Sequence, residues 1–285
     1  MSRFSFVSKI KIEKGWSGDE KYLATTEDGS RYLLRLMSPS KGEKFAPALP
    51  ILRALAKKGV PMCQTYEIES QADRVAVVQR FVDGADAYDV IPYADTATQY
   101  RYGVQSGRTL RDIHSIPAPA TQPDWESRFN AKMDRKIAMY EQCPEKFDGA
   151  EQMIDYINTH RHLLHGRPQC FQHGDYHIGN MMIEGETVTI IDFDRYDFGD
   201  PWEEFNRIVW DAQAAPVFAA GRIDGYFDFD VPADFWALLA MYIASNTLSS
   251  LPWAIPFGQS EIDTMRKQAR DVLCWYDGMC RTVPT

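Results

Sequence analysis

Hydrophobic and polar positions divide the chain into two unlike parts. In residues 1–82, short runs rich in Val, Ile, Tyr and Thr are separated by Gly or Asp clusters: VSKIKIEKG, EKYLATTED, RYLLRLM, CQTYEIES and RVAVVQRFV. That alternation predicts five strands. Between the third and fourth lies KFAPALPILRALAKKG, whose Leu and Ala spacing is helical. Pro47 and Pro50 suit only a first turn, so the regular helix is expected to begin near Pro50 and to stop at Gly59. From Asp83 the pattern changes. VDGADAYDVIPYAD is a turn-rich connector, 95–115 is helical up to Ile116-Pro117, and PAPATQPD is a loop. Helical spacing resumes over 125–142 and 150–165. Two short strand patterns follow, QCFQH and TVTIIDF, and beyond Pro201 the chain reads helical over 202–215, 232–249 and 260–280. No internal repeat or low-complexity tract interrupts this. The expected division is an N-terminal lobe (1–82), a linker (83–93) and a helical C-terminal lobe (94–285), an α+β architecture.

Composition narrows the classes. The 285 residues are 45% hydrophobic and 25% charged, ordinary for a globular chain that can bury its own core. No apolar run approaches the ~18 residues of a membrane span, and the N-terminus lacks the apolar stretch of a signal peptide. The five cysteines include no C-x-x-C, which fits reduced thiols and a cytoplasmic location. The net charge of −9 is unevenly placed: residues 1–82 carry +5 and residues 83–285 carry −14. The overall sign argues against nucleic-acid binding. The split suggests an anion site in front and a cation site behind.

The chemistry is concentrated in 169–204, QCFQHGDYHIGNMMIEGETVTIIDFDRYDFGDPWEEF. Asp175 follows a strand pattern, where a carboxylate can take a proton from a hydroxyl. Asn180 comes five residues later, and Asp192 ends the apolar run 187–191. An amide oxygen and a carboxylate are hard donors that suit Mg²⁺, which takes its remaining ligands from water and phosphates. D-x-x-x-x-N followed by a strand-end Asp is the arrangement of a kinase catalytic loop. Two other readings of the same residues stay open. One is a hairpin with turn-forming Asp, Asn and Gly. The other is a transition-metal hydrolase using His173, Asp175 and His177 as H-x-D-x-H, which leaves Asn180 and Asp192 without roles.

H-G-D-x-x-x-x-N, then I-D-F-x near G-D-P, resembles the aminoglycoside phosphotransferase and choline kinase-like family. The resemblance implies a two-lobed protein-kinase-like fold, with a small antiparallel-sheet lobe, a larger helical lobe and an ATP or GTP cleft between them. It implies Asp175 as catalytic base, Asn180 and Asp192 as Mg²⁺ ligands, His173 as a structural support and Asp194 as a further metal or supporting group. The letters D-F-G at Asp197–Gly199 are a decoy on this reading, because Asp192, not Asp197, directly follows the apolar strand.

The front lobe is expected to hold the nucleotide. Gly15-Trp16-Ser17-Gly18 lies between the first two strands and could cradle phosphates. Arg35 stands on the third strand where a kinase carries its phosphate-pairing Lys. Ala48 occupies the place of the helix Glu that would pair with it, leaving Glu43 as the nearest carboxylate. Backbone groups around Gln79 and Phe81 could meet the nucleotide base. On the acceptor side, Trp202, Glu203, Glu204 and Asp211 combine aromatic faces with carboxylates, which suits a cationic small molecule. The histidines of HRHLLHG read as helix-end cations. The expected function is transfer of the γ-phosphoryl group of ATP or GTP to a hydroxyl of a cationic small molecule. The alternatives are a choline, homoserine or sugar kinase of the same fold, or a pseudokinase-like nucleotide-binding module. The expected partners are nucleotide and acceptor, not nucleic acid or membrane.

Overall fold

The structure is a computed structural model and describes residues 3–13 and 18–285. The chain forms two compact units that do not follow sequence order: 1–94 with 179–196, and 95–178 with 197–285. Residues 179–196, which sequence placed in the helical part, therefore belong with the strands.

The first unit is built on five antiparallel strands. They are β1 (Phe6–Ile12), β2 (Glu20–Thr26), β3 (Arg31–Met37), β4 (Thr65–Ser70) and β5 (Val75–Arg80), in the order β1-β2-β3-β5-β4. All five match the alternating runs. Two helices precede β4. Helix α2 (Leu49–Lys58) starts beside Pro50 and ends at Gly59, whose φ of 89° makes the left-handed stop. Helix α1 (Pro39–Phe45) was not expected, because PSKGEKF has too few apolar positions to show a helical face. A Cβ at its Gly42 would collide with the Val75 side chain, so glycine is what allows the close approach.

The rest of this unit is a small second sheet. Its strands are β6 (Ala85–Asp86), which leads into a short helix α3 (Ala87–Val90), and the hairpin of β8 (Met181–Glu184) and β9 (Thr187–Ile190). Segment 61–63 ties the hairpin to the unit: Ile190 N donates to the Pro61 carbonyl at 2.9 Å and Cys63 N to the Ile190 carbonyl at 2.9 Å. Strand β8 escaped the sequence reading because MMIE is short and partly buried on both faces.

The second unit is helical: α4 (Thr96–Ile113), α5 (Trp125–Gln142), α6 (Ala150–His160), α7 (Ile208–Ala214), α8 (Pro216–Phe227), α9 (Ala233–Ala254) and α10 (Gln259–Trp275). Asp95 and Asp124 cap α4 and α5, each accepting a backbone N–H at 2.9 Å. Two short strands, β7 (Cys170–Gln172) and β10 (Asp197–Gly199), pair antiparallel. The DFG triplet is thus a short strand of its own. Helices α4 and α8 approach each other through four glycines, Gly103 and Gly107 against Gly221 and Gly225. A methyl at any of the four would strike a backbone carbonyl of the opposite helix. Among the described residues, no helix is long and apolar enough to cross a membrane. All five cysteines are free thiols.

Candidate active site

The loop after β7 carries Asp175 and is braced from within its own unit. His173 is fully buried, and its Nδ1 accepts from the Asp175 backbone N–H at 3.2 Å. Gly174, at φ 83°, donates its N–H to Glu204 Oε1 at 2.9 Å. Tyr176 is fully buried and donates its hydroxyl to the Ser106 carbonyl on α4 at 2.8 Å. Ile178 N donates to Asp211 Oδ1 at 2.7 Å, and Arg222 Nη1 donates to Asp211 Oδ2 at 2.5 Å. Arg222 also lies over the Tyr176 ring. The glycine contacts of α4 and α8 let Ser106 and Arg222 reach one loop. Sequence reasoning missed that support; its visible trace is Gly-x-x-x-Gly in both helices.

The Asp175 carboxylate remains partly exposed, with Arg207 Nε at 3.3 Å and His177 Nε2 at 3.7 Å. The H-x-D-x-H reading finds no support here. His173 faces inward, and among the described residues no three His, Cys, Asp or Glu side chains converge as a metal site.

The chain enters the other unit at Gly179, and there Asn180 and Asp192 come together. They flank the β8–β9 hairpin, and the Ile191 N–H donates to the Asn180 carbonyl at 3.0 Å. Asp192 takes a left-handed φ of 65°, a conformation Asp tolerates better than most residues. Two side chains with hard oxygen donors thus stand at one end of one hairpin, a donor set that fits Mg²⁺.

Arg35 on β3 faces the same group and is almost fully buried. Its Nη1 donates to Asp194 Oδ1 at 2.8 Å, and Asp192 Oδ1 is 3.5 Å away. Its Nη2 donates to Asp19 Oδ2 at 2.7 Å and to Asp194 Oδ2. Lys41 on α1 donates to the other Asp19 oxygen at 2.8 Å. These neighbours raise the Arg35 pKa despite burial. Burial holds Asp194 above the usual carboxylate range, more than Arg35 lowers it. Burial would also raise Asp19, but hydrogen bonds from Lys41 and Arg35 outweigh it.

The partner that sequence sought for Arg35 on the helix is therefore Asp19, at the head of β2. Glu43 is exposed and makes no ion pair with Arg35 among the described residues. The clue lay in the hairpin register. Arg35 pairs with Lys21, and Asp19 is two residues further on the same face.

The other expected residues fall as follows. Gly15, Trp16 and Ser17 lie outside the described residues; Gly18 has φ 67°, and a Cβ there would meet nothing within 4 Å among the described residues. Gln79 is buried on β5, between β3 and β4, and donates to Thr65 Oγ1 at 2.9 Å. Phe81 follows the end of β5 and packs under Arg31. Glu203, Glu204 and Asp211 are buried. Glu204 and Asp211 brace the loop, and Glu203 accepts from Lys132 at 2.9 Å and from Gln172 at 3.3 Å. Trp202 packs edge-on against Phe227 and Phe235, beneath Arg167. None of these carboxylates is turned out toward an acceptor as the sequence reading expected. Asp197, the decoy, lies in the other unit from Asp192 and pairs at the surface with Arg128 at 3.3 Å. His160 and His162 bond backbone carbonyls at the end of α6, as helix-end residues do.

Comparison with known proteins agrees with this architecture. By sequence, a search of curated proteins found no match. Solved structures align along nearly the whole chain. A thermostable mutant of aminoglycoside phosphotransferase APH(4)-Ia, in ternary complex with ADP and hygromycin B, has a TM-score of 0.71 at 14% identity, covering 94% of each chain. The amicoumacin kinase hAmiN, in complex with AMP-PNP, Ca²⁺ and Ami, has a TM-score of 0.67 at 12% identity, covering 96% of this chain and 90% of its own. ADP-bound aminoglycoside phosphotransferase APH(2'')-Ib has a TM-score of 0.65 at 12% identity, covering 95% of each chain. The model of the phosphotransferase enzyme family (APH) matches residues 10–235. That match runs from within β1 through the Asp175 loop and the β8–β9 hairpin, and the chain accordingly belongs to the phosphotransferase enzyme family, with a kinase-like α+β fold.

Proposed function

We propose that the chain transfers the γ-phosphoryl group of ATP or GTP to a hydroxyl of a small-molecule acceptor, with Mg²⁺. The observation that carries this reading is the pairing of Asn180 with Asp192 at one hairpin end, five residues after a braced Asp175. Neighbours that bind ADP, AMP-PNP, hygromycin B and amicoumacin support nucleotide as donor and a small molecule as acceptor. Asn180 and Asp192 would hold the metal, with Asp194 beside them; Mg²⁺ supplies charge neutralisation of the phosphates when bound. Asp175 orients the acceptor hydroxyl and takes its proton as the oxygen bonds to the γ-phosphorus. The bond to the β,γ-bridging oxygen breaks, and the electron pair leaves with the nucleoside diphosphate. Catalysis then rests on positioning and on charge placed in advance, and the buried braces on Gly174, Asp175 and Ile178 serve the first. We assign the nucleotide to the front segment 1–82 with Arg35, the linker to 83–93 and the acceptor to the helical remainder.

The expectation of a cationic acceptor draws on the acidic, aromatic-rich helical part as a whole, of whose carboxylates Glu203, Glu204 and Asp211 have their oxygens engaged internally. The proposal is therefore a hydroxylated small molecule without that requirement. A nucleotide-binding module with little turnover is the second reading, favoured by the carboxylates that already surround Arg35.

The test is Mg²⁺-dependent ADP or GDP release with a panel of aminoglycosides, macrolides, choline, homoserine, sugars and hydroxy acids. Acceptor-stimulated release is expected. Asp175→Asn should retain Mg-nucleotide binding while turnover falls about 10²- to 10⁴-fold. Nucleotide binding without release for any acceptor would favour the second reading. Neither binding nor release would overturn both.

A further inference from the structure

Next to Asp175 the helical unit gathers cations. Lys132 and Lys136 lie one turn apart on α5, and Glu203 and Arg207 share the 3-10 segment Glu203–Arg207 that leads into α7. Arg207 reaches the Asp175 carboxylate at 3.3 Å, and Lys132 reaches Glu203 at 2.9 Å. Both Glu203 oxygens are engaged, one by Lys132 and the other by Gln172. Lys136 is left among these groups, partly buried, with no hydrogen bond or ion pair among the described residues. Burial, then Lys132, pushes its pKa down to about 7, with Arg207 adding to the effect and Glu203 opposing it.

A half-buried ammonium without a counter-ion, beside two further cations, is unfavourable unless something anionic joins it. The cluster holds three cations against two carboxylates. One of those carboxylates, Asp175, must turn to the acceptor hydroxyl in the reaction, which would free Arg207 as well. The surplus positive charge therefore stands where the acceptor reacts.

Building on the kinase reading above, we propose that the acceptor is a hydroxylated acid whose oxyanion, a carboxylate or a phosphate or sulfate ester, is received by Lys136 and Arg207. A guanidinium able to bind in a bidentate way and a point-charge ammonium in one cluster form an oxyanion site. Its distance along the molecule from the reacting hydroxyl would select among hydroxy acids.

The test uses the full chain saturated with Mg-ADP, so that the donor site is filled, and inorganic sulfate as probe in calorimetric titration at constant ionic strength. Saturable sulfate binding is expected in the wild type. It should weaken about tenfold or more in Lys136→Met and persist in Lys136→Arg, as for loss of one charged hydrogen bond. Lys136→Met without ligand should be at least as stable as wild type, since it replaces an unpaired charge by an apolar group of similar shape. In turnover, D-glycerate should outperform glycerol and choline as acceptor. Equal sulfate binding in wild type and Lys136→Met, no sulfate binding, or preference for choline would overturn the proposal. A strongly destabilised Lys136→Met would also overturn it, by revealing a structural partner for the ammonium. Failure of the kinase reading would show separately, as absence of Mg-ADP binding or as nucleotide binding without acceptor-stimulated ADP release for any acceptor, whatever the sulfate titration gives.

Discussion

The Arg35 guanidinium stands 2.7 Å from the Asp19 carboxylate, with both side chains nearly inaccessible to water. Ala48, where the kinase resemblance implies a glutamate, offers no carboxylate, and Arg35 pairs with Asp19 and Asp194. Lys41 holds the second Asp19 oxygen, so the carboxylate is fixed from two sides. Asp19→Ala leaves Arg35 short of one buried partner, and a stability loss on the order of 3 kcal/mol is expected. Urea unfolding measures it. The same variant should weaken Mg-nucleotide binding, because Arg35 also reaches Asp192 and Asp194. Asp19→Glu should recover part of both losses. Unchanged unfolding and binding in Asp19→Ala would show that the pair positions nothing.

Asp192 and Asp197 make a second comparison. Asp192 ends the hairpin beside Asn180, whereas Asp197 pairs with Arg128 at the surface of the other unit. Asp192→Asn should lower kcat by about 10²-fold or more and raise the Mg²⁺ concentration needed for half-maximal rate. Asp197→Asn should stay near wild type, as exposed ion pairs contribute about 0–1 kcal/mol. The reverse ranking would move the metal assignment to the DFG triplet.

Asp211 bridges Arg222 and the Ile178 N–H, all fully buried. Asp211→Ala strands the Arg222 charge and an amide at once. A loss of about 3–5 kcal/mol is expected from denaturant unfolding. The double change Asp211→Leu with Arg222→Met should recover much of the stability but not the turnover, since the Asp175 loop would lose a brace.

Lys136 makes stability depend on pH. Its folded pKa, near 7, lies below the ordinary 10.5, so between those values the unfolded chain binds more protons than the folded one. Stability from this group therefore rises with pH from about 7 toward 10.5, and the penalty is complete below 7. Lys132, Glu203 and Arg207 are the charged groups that face it. Wild type should gain on Lys136→Met between pH 7 and pH 9.5 in paired urea titrations. A constant difference would mean that Lys136 keeps its proton throughout.

What could be read in the chain depended on how local the cause was. The five strands and the stop of α2 at Gly59 follow from spacing and single residues. Helix α1 and strand β8 did not, since α1 has little apolar face and β8 is four residues long. The separation of Asp197 from Asp192 could be argued from the apolar run alone.

By itself, the sequence set Asp175, Asn180 and Asp192 within one loop and one hairpin, and those residues carry the resemblance to the family whose model matches residues 10–235. Only the tertiary structure decided which charges meet. Asp19 finds Arg35 across a strand register, Glu204 and Asp211 turn inward to the loop backbone, and Lys136 is left without an ion pair among the described residues. A carboxylate looks the same in sequence whether it faces a substrate or a buried N–H. What distinguishes the two is burial and partner, and both are properties of packing between elements distant in the chain.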